Sequence, residues 1–134
     1  MIVLEGPDGS GKSTLLEQIT AALPTWAVQS SEGPQKSDEE MRERIARYFT
    51  QPVSTIYDRH PVISQAIYAT VLGKRTPPTE LERRAFLERR PFFILCRPSV
   101  QPPLRSDTQM GRWDTPEYIE QLKANAARFR LAYD

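Results

Sequence analysis

The fold class is decided near the start of the chain, by the stretch Ile2-Val3-Leu4-Glu5-Gly6-Pro7-Asp8-Gly9-Ser10-Gly11-Lys12-Ser13. The short apolar run Ile2–Glu5 predicts a buried strand that ends at a glycine. From Lys12 to Leu23, apolar residues recur with the spacing of one helical face, and Pro24 ends the pattern. A strand, a glycine-rich turn and a helix in this order indicate the start of an α/β fold with a parallel sheet.

The glycine-rich turn matches the pattern G-x-x-x-x-G-K-[ST] at every fixed position. Glycines permit backbone angles that other residues avoid, and they let main-chain amides approach an anion closely. Because these amides open a helix, its positive end also favours phosphate. In this pattern an exposed Lys12 reaches the β- and γ-phosphates, and the Ser13 hydroxyl ligates Mg²⁺. We therefore predict a nucleoside triphosphate site formed by Gly6, Gly9, Ser10, Gly11, Lys12, Ser13 and Thr14.

The rest of the chain alternates strands with helices. Strands are predicted at Trp26–Ser30, Ser54–Asp58 and Phe92–Cys96, the last one buried. Helices are predicted to follow the capping residues Ser37 and Thr79, to begin at Pro61 with Ile63, Ala66, Ile67 and Val71 facing inward, and to follow Thr115. This alternation predicts a P-loop NTPase-type three-layer sandwich, with a small, about four-stranded parallel sheet and helices on both faces. We expect one domain, residues 1–134, with a lid-like loop at about 97–113.

Composition excludes several classes of protein. Apolar residues make up 39% of the chain and charged residues 26%, which is typical of globular proteins and excludes extended disorder. No apolar run approaches the length of a membrane span and no basic leader precedes the first strand, so we expect a cytoplasmic protein, in the host cytoplasm if it is phage-encoded. A single cysteine and a single histidine exclude a disulfide framework and argue against a zinc site. The oligomeric state stays open, with a homodimer as one of the states considered.

Basic residues cluster in one third of the chain. The net charge is only +1, yet residues 74–112 carry nine Lys or Arg against four acidic residues. Fourteen of the eighteen basic residues are arginines, whose planar fork suits bidentate contacts with phosphate. Two interpretations fit this segment: a contact surface for an anionic ligand, or a solvated helix face followed by a basic loop.

A second motif, Asp58-Arg59-His60, stands at the end of a predicted strand, where open α/β sheets bind their ligands. A carboxylate in this place can hold Mg²⁺ through water or accept a proton from an attacking hydroxyl, and the adjacent arginine can bind phosphate. A surface salt bridge is the plainer alternative. We expect His60 to pack or to cap a helix rather than to act in catalysis.

These two motifs resemble those of a known family. Residues 2–15 resemble the start of thymidylate kinase-like proteins, and Asp58-Arg59-His60-Pro61-Val62-Ile63-Ser64 resembles their DR[YH] segment, particularly in short phage-encoded members. The resemblance is sharp over residues 2–15 and 54–68. It implies a P-loop kinase that uses Mg²⁺ and transfers the γ-phosphoryl group of ATP to a nucleotide.

The resemblance also implies roles for single residues. Asp8 matches the acidic residue that contacts the acceptor sugar, and Asp58 with Arg59 matches the pair at the metal and the acceptor phosphate. The ATP loop is matched by Lys12, Ser13 and Thr14. Family members with glycine at position 9 take a catalytic arginine from the lid, which here implies Arg105 and Arg112. Only about 44 residues separate Ser13 from Asp58, so the acceptor side is abbreviated, with Ser31-Glu32-Gly33-Pro34 as the remnant of an acceptor loop.

Three classes of function are considered, and the first of them has two candidate acceptors. The leading expectation is a Mg–ATP-dependent kinase whose acceptor is a deoxynucleoside monophosphate such as dTMP. The alternative acceptor is 5-hydroxymethyluracil within DNA, as used by phage DNA-modification kinases, and the basic segment and short acceptor side favour it. A non-catalytic P-loop regulator is less favoured, because no guanine-reading Asn/Thr-Lys-x-Asp segment is present. A nucleic-acid-binding protein without catalysis would depend on the basic segment alone.

Overall fold

A parallel sheet forms the centre of the protein in a computed structural model that describes residues 1–7, 9–33, 35–73, 76–97, 117, 120 and 124–133. Within this part of the chain the strands are β1 (Ile2–Glu5), β2 (Ala27–Gln29), β3 (Thr55–Asp58) and β4 (Phe92–Leu95), and their order in the sheet is β2-β3-β1-β4. The helices are α1 (Lys12–Ala22), α2 (Asp38–Phe49), α3 (Pro61–Leu72), α4 (Glu80–Glu88) and α5 (Ala126–Ala132). Every strand pair is parallel, as the sequence predicted.

Alternation along the central strands divides the core into two layers. Val3 and Tyr57 face the side covered by α2, α3 and α4, where they pack with Met41, Ile45, Tyr48, Val62 and Phe86. Leu4 and Ile56 face the opposite side, where α1 covers them with the half-buried residues Leu15, Leu16 and Ile19. Helices therefore lie on both faces of the sheet, and the predicted three-layer α/β architecture is confirmed.

Capping side chains define where three helices begin. Thr79 Oγ1 accepts a hydrogen bond from the Glu82 N–H, and the Glu82 carboxylate accepts one from the Thr79 N–H at 2.7 Å, which completes the predicted capping box. Ser37 Oγ accepts from the Glu40 N–H at 3.1 Å, but the Glu40 carboxylate accepts from Lys36 instead, so only half of that box forms. His60 caps α3 through its side chain.

Two predictions about burial are wrong. The run Phe92–Cys96 was expected to form a buried strand, but β4 is the edge strand of the sheet beside β1, and Phe92 is 66% exposed. An apolar run specifies a strand without specifying its place in the sheet. On α3, the expected inward residue Val71 is buried and Ile63 packs half-buried against the core, but Ala66 and Ile67 are only half-buried, whereas Val62 and Gln65 are buried. Because α3 is apolar on most of its surface, its periodicity did not select one face.

Several sequence predictions fall on residues outside the described ranges. These are the lid-like loop beyond Arg97, the helix start at Thr115, and the candidate site residues Asp8, Arg105 and Arg112. Among the helices that the structure does describe, none is both long enough and apolar enough to cross a membrane.

Candidate functional site

The turn that follows β1 and the turn that follows β3 lie side by side at the carboxyl edge of the sheet. β1 and β3 are parallel neighbours, and Leu4 lies level with Asp58. The Arg59 N–H donates to the Leu4 carbonyl at 3.0 Å, and the Cys96 N–H donates to the Glu5 carbonyl at 2.7 Å. From β1 the chain crosses to β2 and β3 on one side and later to β4 on the other. This point, where the strand order reverses, is where open α/β sheets bind ligands.

The path of the glycine-rich loop requires glycine. Gly6 is buried with a φ of +148°, and a Cβ atom added there would lie 2.3 Å from the Cys96 carbonyl oxygen. Gly9 and Gly11 have φ values of +76° and +82°, in the left-handed region that other residues rarely adopt. The loop therefore turns back over the end of β1 and delivers the chain into α1.

Lys12 lies inside the curve of this loop. Its Nζ donates to the Gly6 carbonyl at 2.9 Å and to the Pro7 carbonyl at 2.8 Å, and it also contacts Ser10 Oγ at 3.4 Å. Lys12 is only 8% exposed, so the expectation of an exposed lysine is wrong. The reason is physical: a buried ammonium needs oxygen partners, and the turned loop directs its own carbonyls at Nζ.

The first turn of α1 carries no acidic side chain that would compete with a bound anion. Gly11 is the N-cap residue and provides no side-chain hydrogen bond, and the first turn contains no acidic residue. Ser13 and Thr14 are exposed there. A helix N-terminus with unsatisfied amides and a positive dipole end attracts phosphate. The candidate residues therefore follow one another through the turn and into the first turn of α1: Gly9, Ser10, Gly11, Lys12, Ser13 and Thr14.

Asp58 adds a carboxylate oxygen that accepts no hydrogen bond from the residues that the structure describes. Its Oδ1 is buried and has no hydrogen-bond partner in the part of the chain that is described. Burial raises the pKa of the Cys96 thiol, Lys12 lowers it and Asp58 raises it, so these three groups lie within electrostatic reach of one another. Mg²⁺ is bound through one or two protein oxygens together with phosphate oxygens. The Asp58 carboxylate and the Ser13 hydroxyl fit that donor set.

A cluster of three or more His, Cys, Asp or Glu side chains able to hold a metal does not occur among the described residues. This finding bears only on sites built from such clusters. In phosphoryl-transfer sites Mg²⁺ takes part of its ligands from the nucleotide, so a site of that kind needs fewer protein ligands.

Sequence reasoning missed Glu5, the buried carboxylate at the end of β1. Its Oε1 accepts from the His60 N–H at 2.9 Å and from the Ser64 hydroxyl at 3.3 Å. Its Oε2 accepts from the Tyr133 hydroxyl at 3.4 Å and lies 3.9 Å from Arg59 Nη1. Burial raises the pKa of Glu5, and the Arg59 guanidinium opposes that rise. The available signal was an acidic residue at the end of an otherwise apolar strand, directly before the loop.

Arg59 is held between Glu5 and Tyr133. Its Nη1 donates to the Tyr133 hydroxyl, its guanidinium carbon lies 5.8 Å from the centre of the Tyr133 ring, and its side chain is 12% exposed. The backbone of Arg59 has a φ of +69°, unusual for a residue with a side chain. Such strain persists when surrounding contacts determine the conformation, and it occurs often at functional sites.

His60 has the structural role that the sequence predicted. Its Nδ1 accepts from the Val62 N–H at 3.3 Å and caps α3. Its ring is buried against aromatic rings, with centroids 5.1 Å from Tyr57 and 4.4 Å from Phe86. Burial, and secondly Arg89, lowers the pKa of His60 to about 3. The imidazole is neutral at physiological pH and packs in the core, as expected.

Two arginines of α2 hydrogen-bond to Glu32 and Gly33, in the segment expected to be the remnant of an acceptor loop. Arg44 Nη1 donates to the Gly33 carbonyl at 2.6 Å, and Arg47 Nη2 donates to the Glu32 carboxylate at 2.9 Å. Arg44 also pairs with Glu40 one turn earlier. These contacts fix the described part of this segment next to the helix that follows it.

Comparison with known proteins supports the fold. No protein-family model matches the chain, and no curated protein matches it significantly. Among solved structures, the chain is similar to the YorR protein of Bacillus subtilis, which was crystallised in complex with phosphorylated GDP. The TM-score is 0.65 and the identity 22%, over 98% of this chain and 75% of the YorR chain. At this identity the similarity establishes the fold alone, an α/β fold built on a four-stranded parallel sheet. A P-loop kinase activity and thymidylate kinase-like specificity stay predictions.

Proposed function

We propose that this protein is a Mg²⁺- and ATP-dependent kinase that transfers a phosphoryl group to a nucleotide, with a deoxynucleoside monophosphate such as dTMP as the leading acceptor. One observation carries the proposal. A glycine loop that encloses a buried lysine at a helix N-terminus lies beside Asp58, whose Oδ1 has no hydrogen-bond partner among the described residues. A cation enclosed by the loop suits a polyphosphate, and the unsatisfied carboxylate suits its metal.

ATP is held, in this proposal, by the loop and by the first turn of α1. The amides of the loop contact the phosphates, and Lys12 Nζ exchanges its contacts with the Gly6 and Pro7 carbonyls for phosphate oxygens. The exposed Ser13 hydroxyl and the Asp58 carboxylate would hold Mg²⁺, which would supply positive charge against the phosphates of ATP. The pairing of β1 with β3 places the turn that follows each strand at the same edge of the sheet.

The acceptor is proposed to bind on the side of Asp58 and Arg59. Arg59 contacts its phosphate and Asp8 contacts its sugar, as the resemblance to thymidylate kinase-like proteins implies. Arg105 and Arg112 are proposed to bring positive charge to the transferring group. The phosphorylated GDP bound by YorR supports a nucleotide ligand for this fold.

A second candidate acceptor is 5-hydroxymethyluracil within DNA. It is favoured by the excess of basic residues in 74–112 and by the short segment between Ser13 and Asp58. A polymer acceptor makes additional phosphate contacts, so its binding weakens steeply with salt, whereas binding of a mononucleotide changes less.

Incubation with γ-labelled ATP and Mg²⁺ tests both candidates. The acceptors are a panel of deoxynucleoside monophosphates, an unmodified DNA duplex and a duplex containing 5-hydroxymethyluracil. Label in a monophosphate supports the leading proposal, and label only in the modified duplex supports the alternative. Binding of ATP without transfer to any acceptor would instead indicate a non-catalytic nucleotide-binding protein.

A further inference from the structure

Glu5 is a buried carboxylate for which the proposed phosphoryl transfer has no use. It is 3% exposed, and its two oxygens have separate partners. Oε1 is occupied by the His60 N–H and the Ser64 hydroxyl, at the start of α3. Oε2 faces Arg59 and Tyr133 instead. A buried carboxylate is costly unless its charge is compensated, so this arrangement calls for an explanation.

Glu5 Oε2, the Tyr133 hydroxyl and Arg59 Nη1 form a triangle in which each group contacts the other two. Arg59 Nη1 donates to the Tyr133 hydroxyl, that hydroxyl donates to Glu5 Oε2 at 3.4 Å, and Oε2 lies 3.9 Å from Nη1. A free arginine side chain loses considerable rotamer entropy when it binds a ligand. A guanidinium carries five N–H donors in a rigid fork, so the protein can hold one edge while another edge contacts a phosphate.

We propose that Glu5 and Tyr133 are positioning residues that hold Arg59 in place for the phosphate of the acceptor, so that affinity for the acceptor, and not for ATP, depends on them. This inference rests on the proposed function, which assigns Arg59 to the acceptor. It also links the end of α5 to the site: α5 packs against α3, and Tyr133 directly follows it. The packing of α5 on α3 then also places the Tyr133 hydroxyl that holds Arg59.

The substitution Glu5→Gln distinguishes the role of Oε1 from the role of Oε2. The amide oxygen still accepts from the His60 N–H, but the amide NH₂ that replaces Oε2 removes the charge opposite Arg59. We expect the dissociation constant and KM for dTMP to rise about tenfold, as for loss of one charge-assisted contact. The dissociation constant for ATP and the kcat are expected to change by less than about threefold, since only binding of the acceptor is affected.

Two further variants make the test specific. Tyr133→Phe removes the bridging hydroxyl and keeps the ring, and it is expected to weaken dTMP binding in the same direction. Combined with Glu5→Gln it adds less than its separate effect, because both act through Arg59. Ser64→Ala is the matched control: it removes a contact to Oε1 and leaves Arg59 untouched, so dTMP binding is expected to stay unchanged.

Calorimetric binding of dTMP, and of a duplex containing 5-hydroxymethyluracil, is measured separately from phosphoryl transfer. If Glu5→Gln weakens the bound probe while transfer is absent, the inference stands and the proposed function fails. The inference is overturned, and Glu5 is structural, if transfer occurs but Glu5→Gln weakens the binding of ATP as much as the binding of the acceptor. It is also overturned if Glu5→Gln and Ser64→Ala bind the acceptor equally well. A wild-type protein that binds neither probe overturns it too. Should Glu5→Gln unfold, Tyr133→Phe alone decides, by the same comparison of acceptor with ATP.

Discussion

At the scale of the residue, the environment of Lys12 gives it two roles that mutation should reveal together. The ammonium is enclosed by the Gly6 and Pro7 carbonyls, so it neutralises the inside of the loop, and the proposed mechanism also assigns it to the phosphates. Loss of Lys12 therefore removes both the hydrogen bonds that Nζ donates to the loop and the charge assigned to the phosphates.

Replacing Lys12 by Ala is expected to lower kcat/KM several hundredfold, through loss of charge stabilisation in the transition state. It should also lower the free energy of unfolding by roughly 1–3 kcal/mol, because hydrogen bonds from a charged group are lost. Steady-state kinetics and urea unfolding measure the two effects. Lys36→Ala provides an exposed-lysine control. Activity of Lys12→Ala within a few-fold of wild type would refute the assignment of the loop.

Two glycines of the loop should respond differently to the same substitution. Gly6→Ala places a Cβ atom 2.3 Å from the backbone oxygen of Cys96, whereas a Cβ atom at Gly11 has nothing within 4 Å. Gly11→Ala is expected to cost about 1 kcal/mol through its positive φ alone. Gly6→Ala adds a backbone clash and should cost roughly 2–4 kcal/mol. Denaturant unfolding compares them, and equal losses would argue against the loop geometry described above.

At the scale of the element, His60 connects the start of α3 to the aromatic core. It caps the helix through Nδ1 and packs between residues of α2, β3 and α4. Since its pKa is about 3 in the folded protein, the unfolded chain takes up a proton first as the pH falls. Stability is therefore lost as the pH falls from the unfolded value of about 6.5, until the folded pKa is reached.

Urea unfolding of the wild type should show this as a decrease of about 1.4 kcal/mol per pH unit below about pH 6.5. The pKa of Glu5 is raised in the folded protein, so the folded protein takes up this proton before the unfolded chain does. This adds stability as the pH falls further and makes the decrease less steep. His60→Asn keeps a capping oxygen and removes the titrating ring. The variant is expected to be less stable at neutral pH but to lack this slope. An unchanged slope would place the titrating group elsewhere.

The elements show how far sequence reasoning reached. Ser37, Thr79 and His60 cap their helices as predicted, because capping depends on residues three or fewer positions apart. The edge position of β4 and the inner face of α3 depend on strand order and on neighbouring helices, which no local pattern contains. The burial of Lys12 follows from a loop that folds back on its own carbonyls, also a feature beyond periodicity.

At the scale of the whole molecule, the sheet explains why two motifs that are distant in sequence lie side by side. Gly6–Ser13 and Asp58–Arg59 could be recognised separately from their residue types, and the parallel pairing of β1 with β3 brings them together. The Glu5–Arg59–Tyr133 triangle could not be predicted, because it joins residues from the start, middle and end of the chain. Such contacts are determined only by the complete topology.

The central claim is that the loop and Asp58 together carry out Mg²⁺-dependent phosphoryl transfer. Asp58→Asn preserves the size of the side chain and removes the charge of the oxygen that has no hydrogen-bond partner within the described ranges. The decisive measurement is a single-turnover assay with γ-labelled ATP, Mg²⁺ and the preferred acceptor, for wild type and Asp58→Asn. We predict transfer by the wild type, and transfer slowed about a hundredfold or more in the variant with ATP affinity changed only a few-fold. Equal transfer rates for the two proteins, or no transfer by the wild type to any acceptor tested, would contradict the account.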